Sequence, residues 1–481
     1  MPIFSLIPRF FAGILALTGI AMILPAIMAF VWGEKLCITP FAAPALASFL
    51  FALPIHFFGR SNDDRLAADK AFAIVGSTWI AICAIGAVPL FLSNVCGTFI
   101  NALFESVSAF TTTGATVISG LDMIPKSINL WRCEMHWLGG MGIIALTIAI
   151  MPLLGAGGYR LIKAETSGPE KGKLTSRISD TAKILWSIYI GFTVLAIVLF
   201  KFTGLSWYNT VCHAFTCIST GGFSTRDASL GAFCNPAAEW VAILIMILGT
   251  ISFALYVQLF RGKWADFFKN SELRSFLAVV LVSAAVVAAF RFETCDALAD
   301  TIRTSLFTVT SVISTTGLGV NDYTTWPYAA QMVIFALFFI GGCSGSTAGG
   351  IKVIRWTILA KQVANECKRL VHPHGIFPLR INGVPAKDEI IQTVASFIFA
   401  YFLIAAIVSF IGAIDGLDPF TAITAAFSMM GNIGPAFGSL GPSNNMSMLS
   451  DTLKFVYMFA MLAGRLEIYT LLILIGRSVI K

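Results

Sequence analysis

Nine uncharged apolar stretches of membrane-crossing length, and a tenth interrupted by two charges, restrict this chain to a narrow class of folds. A helix rises 1.5 Å per residue, so a hydrocarbon core about 30 Å thick is crossed by roughly 20 residues. Such stretches occupy residues 10–32, 36–58, 71–91, 135–156, 184–200, 240–260, 275–290, 323–351 and 390–414, and the tenth, 455–476, contains Arg465 and Glu467. The 481 residues are 57% hydrophobic and 12% charged, against roughly 25% charged for a soluble domain. Too few polar side chains remain to wet a globule of this size, and disordered chains, coiled coils and disulfide scaffolds are excluded with it. The first stretch follows Arg9 but has 23 residues, longer than a signal-peptide core of roughly 7–15. It is expected to span rather than to be cleaved.

Ten spans put both termini on one side, and the charges say which. The N-terminus, residues 59–70, 157–183, 261–274 and 352–389, and the C-terminus together carry 23 of the 32 Lys and Arg but 11 of the 25 Asp and Glu. The positive-inside rule makes that side cytoplasmic. The remainder nets −5, mostly as Asp122, Asp227, Glu293, Asp296, Asp322, Asp415, Asp418 and Asp451. These form either an acidic vestibule that concentrates cations or a merely solvated face. The net charge of +7 does not imply nucleic-acid binding, because no dense basic run occurs. The ten Cys include no CxxC pair and read as small buried hydrophobes. With no phosphate-binding Gly loop, catalytic triad or zinc motif, neither an enzyme nor a covalent cofactor is expected.

Four segments on the outer side are too polar or too short to cross, and they align without gaps: Ser108–Ala115, Thr216–Phe223, Ser311–Leu318 and Ser428–Pro435. The first residue is a hydroxyl in each, and the seventh is Gly: Gly114, Gly222, Gly317 and Gly434. Apolar, helix-compatible sequence precedes each segment and a span follows it. Gly139, Gly249, Gly341 and Gly464 recur in the following spans, where small residues also serve helix packing. The unit is therefore a span, a short re-entrant helix, a Gly-bearing strand and a span, four times over. Backbone at membrane depth is tolerated only where it is buried in protein or lines a water-filled cavity. Extended Thr-x-Gly strands entered from short helices can point carbonyl oxygens at an axis, Gly permitting the required dihedrals. Four such strands replace the hydration shell of a cation, and the negative C-terminal ends of the helices reinforce this. Neutral oxygens without carboxylates favour a monovalent ion.

At Thr111–Thr116, Ile218–Phe223, Ile313–Gly317 and Gly431–Pro435, and at the small-residue tract 341–352, the sequence resembles the Trk/Ktr/HKT superfamily of potassium uptake proteins, most closely its bacterial TrkH branch. The resemblance covers essentially the whole chain. It implies an all-α polytopic membrane protein of the bacterial inner membrane, with four tandem M1–P–M2 repeats around one central pore and two extra N-terminal spans. The corresponding units are residues 1–66, 67–170, 171–270, 271–375 and 376–481. It further implies a homodimer gated by a cytosolic nucleotide-binding partner of the TrkA kind, with K⁺ as the permeant ion. The filter carbonyls are then those of Thr112, Thr113, Gly114, Thr220, Gly221, Gly222, Thr315, Thr316, Gly317, Asn432, Ile433 and Gly434. Family members with Ser at the first filter Gly favour Na⁺, whereas Gly114 leans toward K⁺. The fourth strand departs from the others at Asn432 and Ile433, which predicts a ring without fourfold symmetry and weaker, less exclusive K⁺ binding.

Two features suggest a gate. Gly342, Cys343, Ser344, Gly345, Ser346, Thr347, Ala348, Gly349 and Gly350 are all small, and Gly weakens a helix by about 1 kcal/mol relative to Ala. The span should break there, either as a movable constriction below the filter or as a close-packed kink. Arg465 lies about ten residues into the last span, where a charge costs roughly 2.5–3.5 kcal/mol. It is either an electrostatic barrier or a partner in a structural salt bridge, for which Glu467 is poorly placed. Glu105 and His213, at equivalent positions in the first two re-entrant helices, either line the outer pore or brace it, the brace being the favoured reading. His372 and His374 are assigned to a cytoplasmic turn or hairpin with Asn382-Gly383. The basic residues of 157–183 suit anionic lipid or a regulatory subunit. The rival reading is an H⁺- or Na⁺-coupled alternating-access symporter, which needs a titratable group that the strands lack.

Overall fold

The computed structural model describes residues 7–58, 68–150, 178–292, 297–386, 388–468 and 470. Its helices, in chain order, are α1 (Ile7–Ala21), α2 (Ile23–Val31), α3 (Lys35–Phe58), α4 (Ala68–Leu92), α5 (Phe99–Phe110) and α6 (Lys126–Ile150). They continue with α7 (Ile178–Phe202), α8 (Trp207–Ile218), α9 (Pro236–Thr250), α10 (Phe253–Phe260), α11 (Trp264–Lys269) and α12 (Ser271–Arg291). The last are α13 (Leu298–Ile313), α14 (Tyr328–Leu337), α15 (Val353–Val371), α16 (Asp388–Ile414), α17 (Pro419–Gly431) and α18 (Asp451–Arg465). Among the described residues the strands are a two-residue antiparallel hairpin, β1 (Arg380–Ile381) and β2 (Val384–Pro385). Asn382 and Gly383, both at positive φ, form its turn.

Among the described residues, five helices are long and apolar enough to cross a bilayer alone, lying within α3, α4, α7, α12 and α16. Large apolar side chains such as Leu281, Phe399 and Phe410 stand exposed on two of them, a surface that water would not tolerate in such quantity but acyl chains would.

Elsewhere the helices differ from the apolar stretches, and each difference has a cause. The stretch 135–156 starts too late, because α6 begins at Lys126 and carries Arg132 and Glu134 buried within it. The stretch 240–260 is not one straight helix: α9 and α10 meet at 92°. At that bend the Phe253 amide donates to Gly345 O at 3.0 Å, and Thr250 O accepts from the Cys343 amide at 3.1 Å, so a distant segment takes the backbone partners. The stretch 323–351 stops being helical after Leu337, and helix resumes only at Val353. The last stretch ends its helix at Arg465, with Glu467 and Ile468 at positive φ. The stretch 10–32 is divided at Met22.

Several of the acids assigned to the outer side have structural partners. Asp418 caps α17 by accepting from the Thr421 amide at 3.0 Å, and Asp322 caps the short turn Tyr323–Thr325. Asp415 accepts from Ser450 Oγ at 2.6 Å. Glu293, Asp296, Lys163, Lys171, Lys173 and Arg177 lie outside the described residues, as do 471–476 of the last stretch.

Candidate functional site

The helices α5, α8, α13 and α17 lead into the four aligned segments and end in one manner. At the N-terminus, Thr98, Ser206 and Asp418 cap α5, α8 and α17 with their side chains. At the C-terminus the sixth residue of each segment donates its amide to the carbonyl of the first: Thr113 to Ser108, Gly221 to Thr216 and Thr316 to Ser311 at 2.8 Å, and Ile433 to Ser428 at 2.9 Å. The fifth donates to the second: Thr112 to Ala109, Thr220 to Cys217, Thr315 to Val312 and Asn432 to Met429. This paired pattern is a Schellman termination, whose fifth residue adopts the left-handed conformation and is usually Gly. Here it is Thr112, Thr220, Thr315 and Asn432, with φ of 54°, 54°, 57° and 54°. A β-branched residue is strained there, whereas Asn tolerates it. The departure of the fourth segment at Asn432 thus falls at a position whose backbone matches the other three.

The seventh residues, Gly114, Gly222, Gly317 and Gly434, also have positive φ, from 73° to 98°, while the sixth residues do not. A Cβ on Gly114 would strike the carbonyl oxygen of Gly221, one on Gly222 that of Thr316, and one on Gly317 that of Ile433. A Cβ on Gly434 would lie 2.5 Å from Thr113 O, which returns to the first segment. The four backbones therefore close into a ring, each glycine seated against the sixth-position carbonyl of the next.

Side chains hold the ring from behind. The first-position hydroxyls of Ser311 and Ser428 donate to the eighth-position carbonyls of Leu318 and Pro435, both at 2.7 Å. In the first segment, Glu105 accepts from Thr116 Oγ1 at 2.9 Å and from the Val117 amide at 3.0 Å. Arg132 pairs with Glu105 at 2.6 Å, both side chains being fully buried, and its guanidinium lies 4.0 Å from the Phe223 ring centroid. His136 stacks on Phe223 and bonds Thr216 Oγ1 at 3.1 Å. In the second segment His213 bonds Ser224 Oγ at 3.0 Å. Glu105 and His213 are braces, as expected. Sequence reasoning missed Arg132 and His136, although an opposite charge in a neighbouring apolar element signals the partner of a buried Glu.

The small-residue tract lies under these strands and is buried at Cys343, Ser344, Ser346, Thr347 and Ala348. Thr347 Oγ1 donates to Gly249 O at 2.9 Å and lies 3.1 Å from Ile218 O and 3.4 Å from Thr220 Oγ1. The Gly349 amide donates to Thr315 Oγ1 at 2.7 Å. Arg465 is buried and reaches the same tract, its Nη1 donating to Thr347 O at 2.6 Å and its Nη2 to Gly139 O at 3.4 Å. Among the described residues its hydrogen-bond partners are carbonyls, while Glu467 pairs with Arg355 at 2.7 Å. His372 and His374 are exposed in a turn, where the Gly375 amide donates to His372 O at 2.9 Å.

Comparison with known proteins extends this geometry. Residues 44–479 match the family described as TrkH, cation transport protein. The "Trk system potassium uptake protein TrkH" of Vibrio parahaemolyticus is 35% identical over 482 residues, covering 98% of each chain. The Escherichia coli K12 protein of the same name is also 35% identical with 98% coverage of each. The crystal structure of the potassium transporter TrkH from Vibrio parahaemolyticus superposes with a TM-score of 0.90 at 32% identity, covering 99% of each chain.

Proposed function

Because the chain belongs to the TrkH family of cation transport proteins, we propose that it is the K⁺-conducting subunit of a bacterial potassium uptake system. It is a transporter subunit and not an enzyme. The observation that carries the reading is the closed ring of four glycines and four carbonyls. An ordinary strand points successive carbonyls to opposite sides, with a period of two. Left-handed residues at the fifth and seventh positions, separated by one that is not, turn those carbonyls to the same side. Carbonyls so arrayed exchange for the hydration shell of K⁺. The filter is then Thr112–Gly114, Thr220–Gly222, Thr315–Gly317 and Asn432–Gly434. An inside-negative potential contributes about 2.3 kcal/mol per charge per 100 mV, so uptake needs no catalytic residue.

The tract from Gly342 to Gly350 is the gate in this reading, held across the conduction path by Thr347 and Arg465. The guanidinium, bonded to carbonyls and unneutralised by a carboxylate among the described residues, opposes a passing cation. Ten spans, four M1–P–M2 repeats with the unit boundaries given above, cytoplasmic termini in the inner membrane, a homodimer and a TrkA-like nucleotide-binding regulator complete the proposal. Single-channel recording in planar bilayers tests it. Discrete K⁺-selective steps are expected, with deletion of residues 344–349 raising the open fraction. Transport without steps that scales with a proton gradient at fixed voltage overturns it in favour of the symporter.

A further inference from the structure

Helix α15 leaves the small-residue tract without a cap of its own, because Lys352 makes no capping bond through its side chain. Unpaired amides at a helix start need an acceptor, and α12 supplies one. Glu272, the second residue of α12, is 2% exposed. Its Oε1 accepts from the Ser344 amide at 2.7 Å, and its carboxylate also faces the backbone of Ile354, in the first turn of α15. One buried carboxylate therefore joins the beginning of the tract to the helix that follows its end. Lys352 and Arg355 are its near cations, and Arg355 is anchored in turn by Glu467.

The position of Glu272 is fixed from the other direction as well. Asn270 caps α12 by accepting from the Glu272 and Leu273 amides, both at 3.0 Å. The amide of the intervening Ser271 donates to Asn382 Oδ1 at 2.8 Å, and Asn382 is in the turn between β1 and β2. That hairpin shares a small core with the helices flanking it, Leu379 and Ile381 packing with Ile354 and Ile358 of α15 and Ile390 and Val394 of α16. The hairpin thus holds α12 at Ser271, next to the residue whose carboxylate holds the tract.

We propose that Glu272 is a positioning residue that latches the tract in its non-conducting arrangement, and that the hairpin holds the latch through Asn382. The inference rests on the tract being the gate. A charge-assisted hydrogen bond is roughly twice as strong as a neutral one, so a latch of this kind keeps the closed arrangement dominant until the hairpin is drawn away from α12.

The test is ⁸⁶Rb⁺ flux into proteoliposomes holding the full chain without any partner. Glu272→Ala is expected to raise basal flux about tenfold, equivalent to about 1.4 kcal/mol, and Glu272→Gln less, because its amide oxygen still accepts. Asn382→Gly, which keeps the left-handed turn but loses the acceptor, is expected to raise flux about threefold. The Rb⁺/Na⁺ ratio stays at the wild-type value in all three, which a damaged filter would not allow. In a chain lacking residues 344–349, Glu272→Ala adds nothing further, the non-additivity expected of two groups acting through one contact. If the deletion raises flux but Glu272→Gln and Asn382→Gly, both monodisperse, conduct as wild type, the latch is wrong and the gate stands. If the deletion itself leaves flux unchanged, the gate reading has failed first.

Discussion

The strand ring and the tract beneath it are built from similar small residues but held by different kinds of contact. In the ring, backbone meets backbone: four carbonyls fill the places where four glycines would carry a Cβ. In the tract, hydrogen bonds to scattered partners hold a buried but irregular chain: Thr347 and Arg465 donate side-chain bonds to carbonyls, Glu272 accepts from the Ser344 amide, and the tract backbone pairs with Gly249, Thr250 and Phe253. The helices beside the two regions show where they diverge. Gly139, Gly249 and Gly464 lie against the carbonyls that end α5, α8 and α17, namely Phe110, Ile218 and Met430. Gly341, in the corresponding register, lies instead against Gly349 O of its own tract. Helices α6, α9 and α18 thus pack directly on the ends of α5, α8 and α17, and after α13 the tract takes that place. Contacts with no tolerance make a rigid element, and contacts released one at a time make a movable one. Substitutions in the ring should therefore abolish flux, whereas substitutions in the tract should raise it.

The largest effect is expected in the ring. Gly317→Ala places a methyl on the Ile433 carbonyl at a φ of 73°, combining backbone strain with overpacking for about 4 kcal/mol. K⁺-dependent growth of an uptake-deficient strain should be lost. Gly120→Ala provides the control, because φ is 72° there but nothing lies within 4 Å. It should cost about 1 kcal/mol and retain flux. Equal loss in both would assign the effect to strain and remove the steric closure of the ring.

The braces come next. Glu105→Gln leaves Arg132 charged and fully buried, a loss of about 3 kcal/mol measurable by thermal denaturation in detergent, and it frees the backbone at Val117. His213→Ala removes a neutral bond to Ser224 and should cost about 1 kcal/mol. In the tract the sign reverses. Thr347→Val keeps the shape but loses the hydroxyl bond to Gly249 O, which contributes about 1 kcal/mol. A severalfold gain in basal ⁸⁶Rb⁺ flux is expected, and a fall would place Thr347 with the ring.

What the sequence disclosed follows the same division. The alignment of the four segments was legible because its signals are local, a hydroxyl first and a glycine seventh recurring within eight residues of one another; the left-handed fifth residue was not, because it is Thr in three of the four. A break within 342–350 was legible because glycine density predicts it, but the helix already ends at Leu337, before the first of those glycines. The 92° bend between α9 and α10 was not, since no Gly or Pro occupies Ile251–Ser252 and its cause lies near residue 345. The start of α6 was misplaced for a related reason. Arg132 looks like loop until Glu105, distant in sequence, is seen to neutralise it. Asn432 looked like a weakness of the fourth strand, yet it occupies the position where Asn is less strained than Thr.

The smallest expected effect lies at the surface, where the loops following α5 and α8 meet. Arg226 and Asp122 pair at 2.6 Å with side chains 45% and 39% exposed, and the Arg226 hydrogen bond holds the Asp122 carboxyl below its ordinary value of 3.8. A depressed carboxylate favours the folded chain while ionised, so its contribution is complete above 3.8 and is lost as pH falls below that value toward the folded pKa. Solvent screening limits it to about 0.5 kcal/mol. Asp122→Asn should lower the melting temperature slightly at pH 6, with the gap to wild type closing on acidification toward pH 3. K⁺ flux should not change, because the pair ties loops rather than ring or tract. A change in flux at constant stability would mean that these loops bear on the ring, and the rigid region would then extend to the surface.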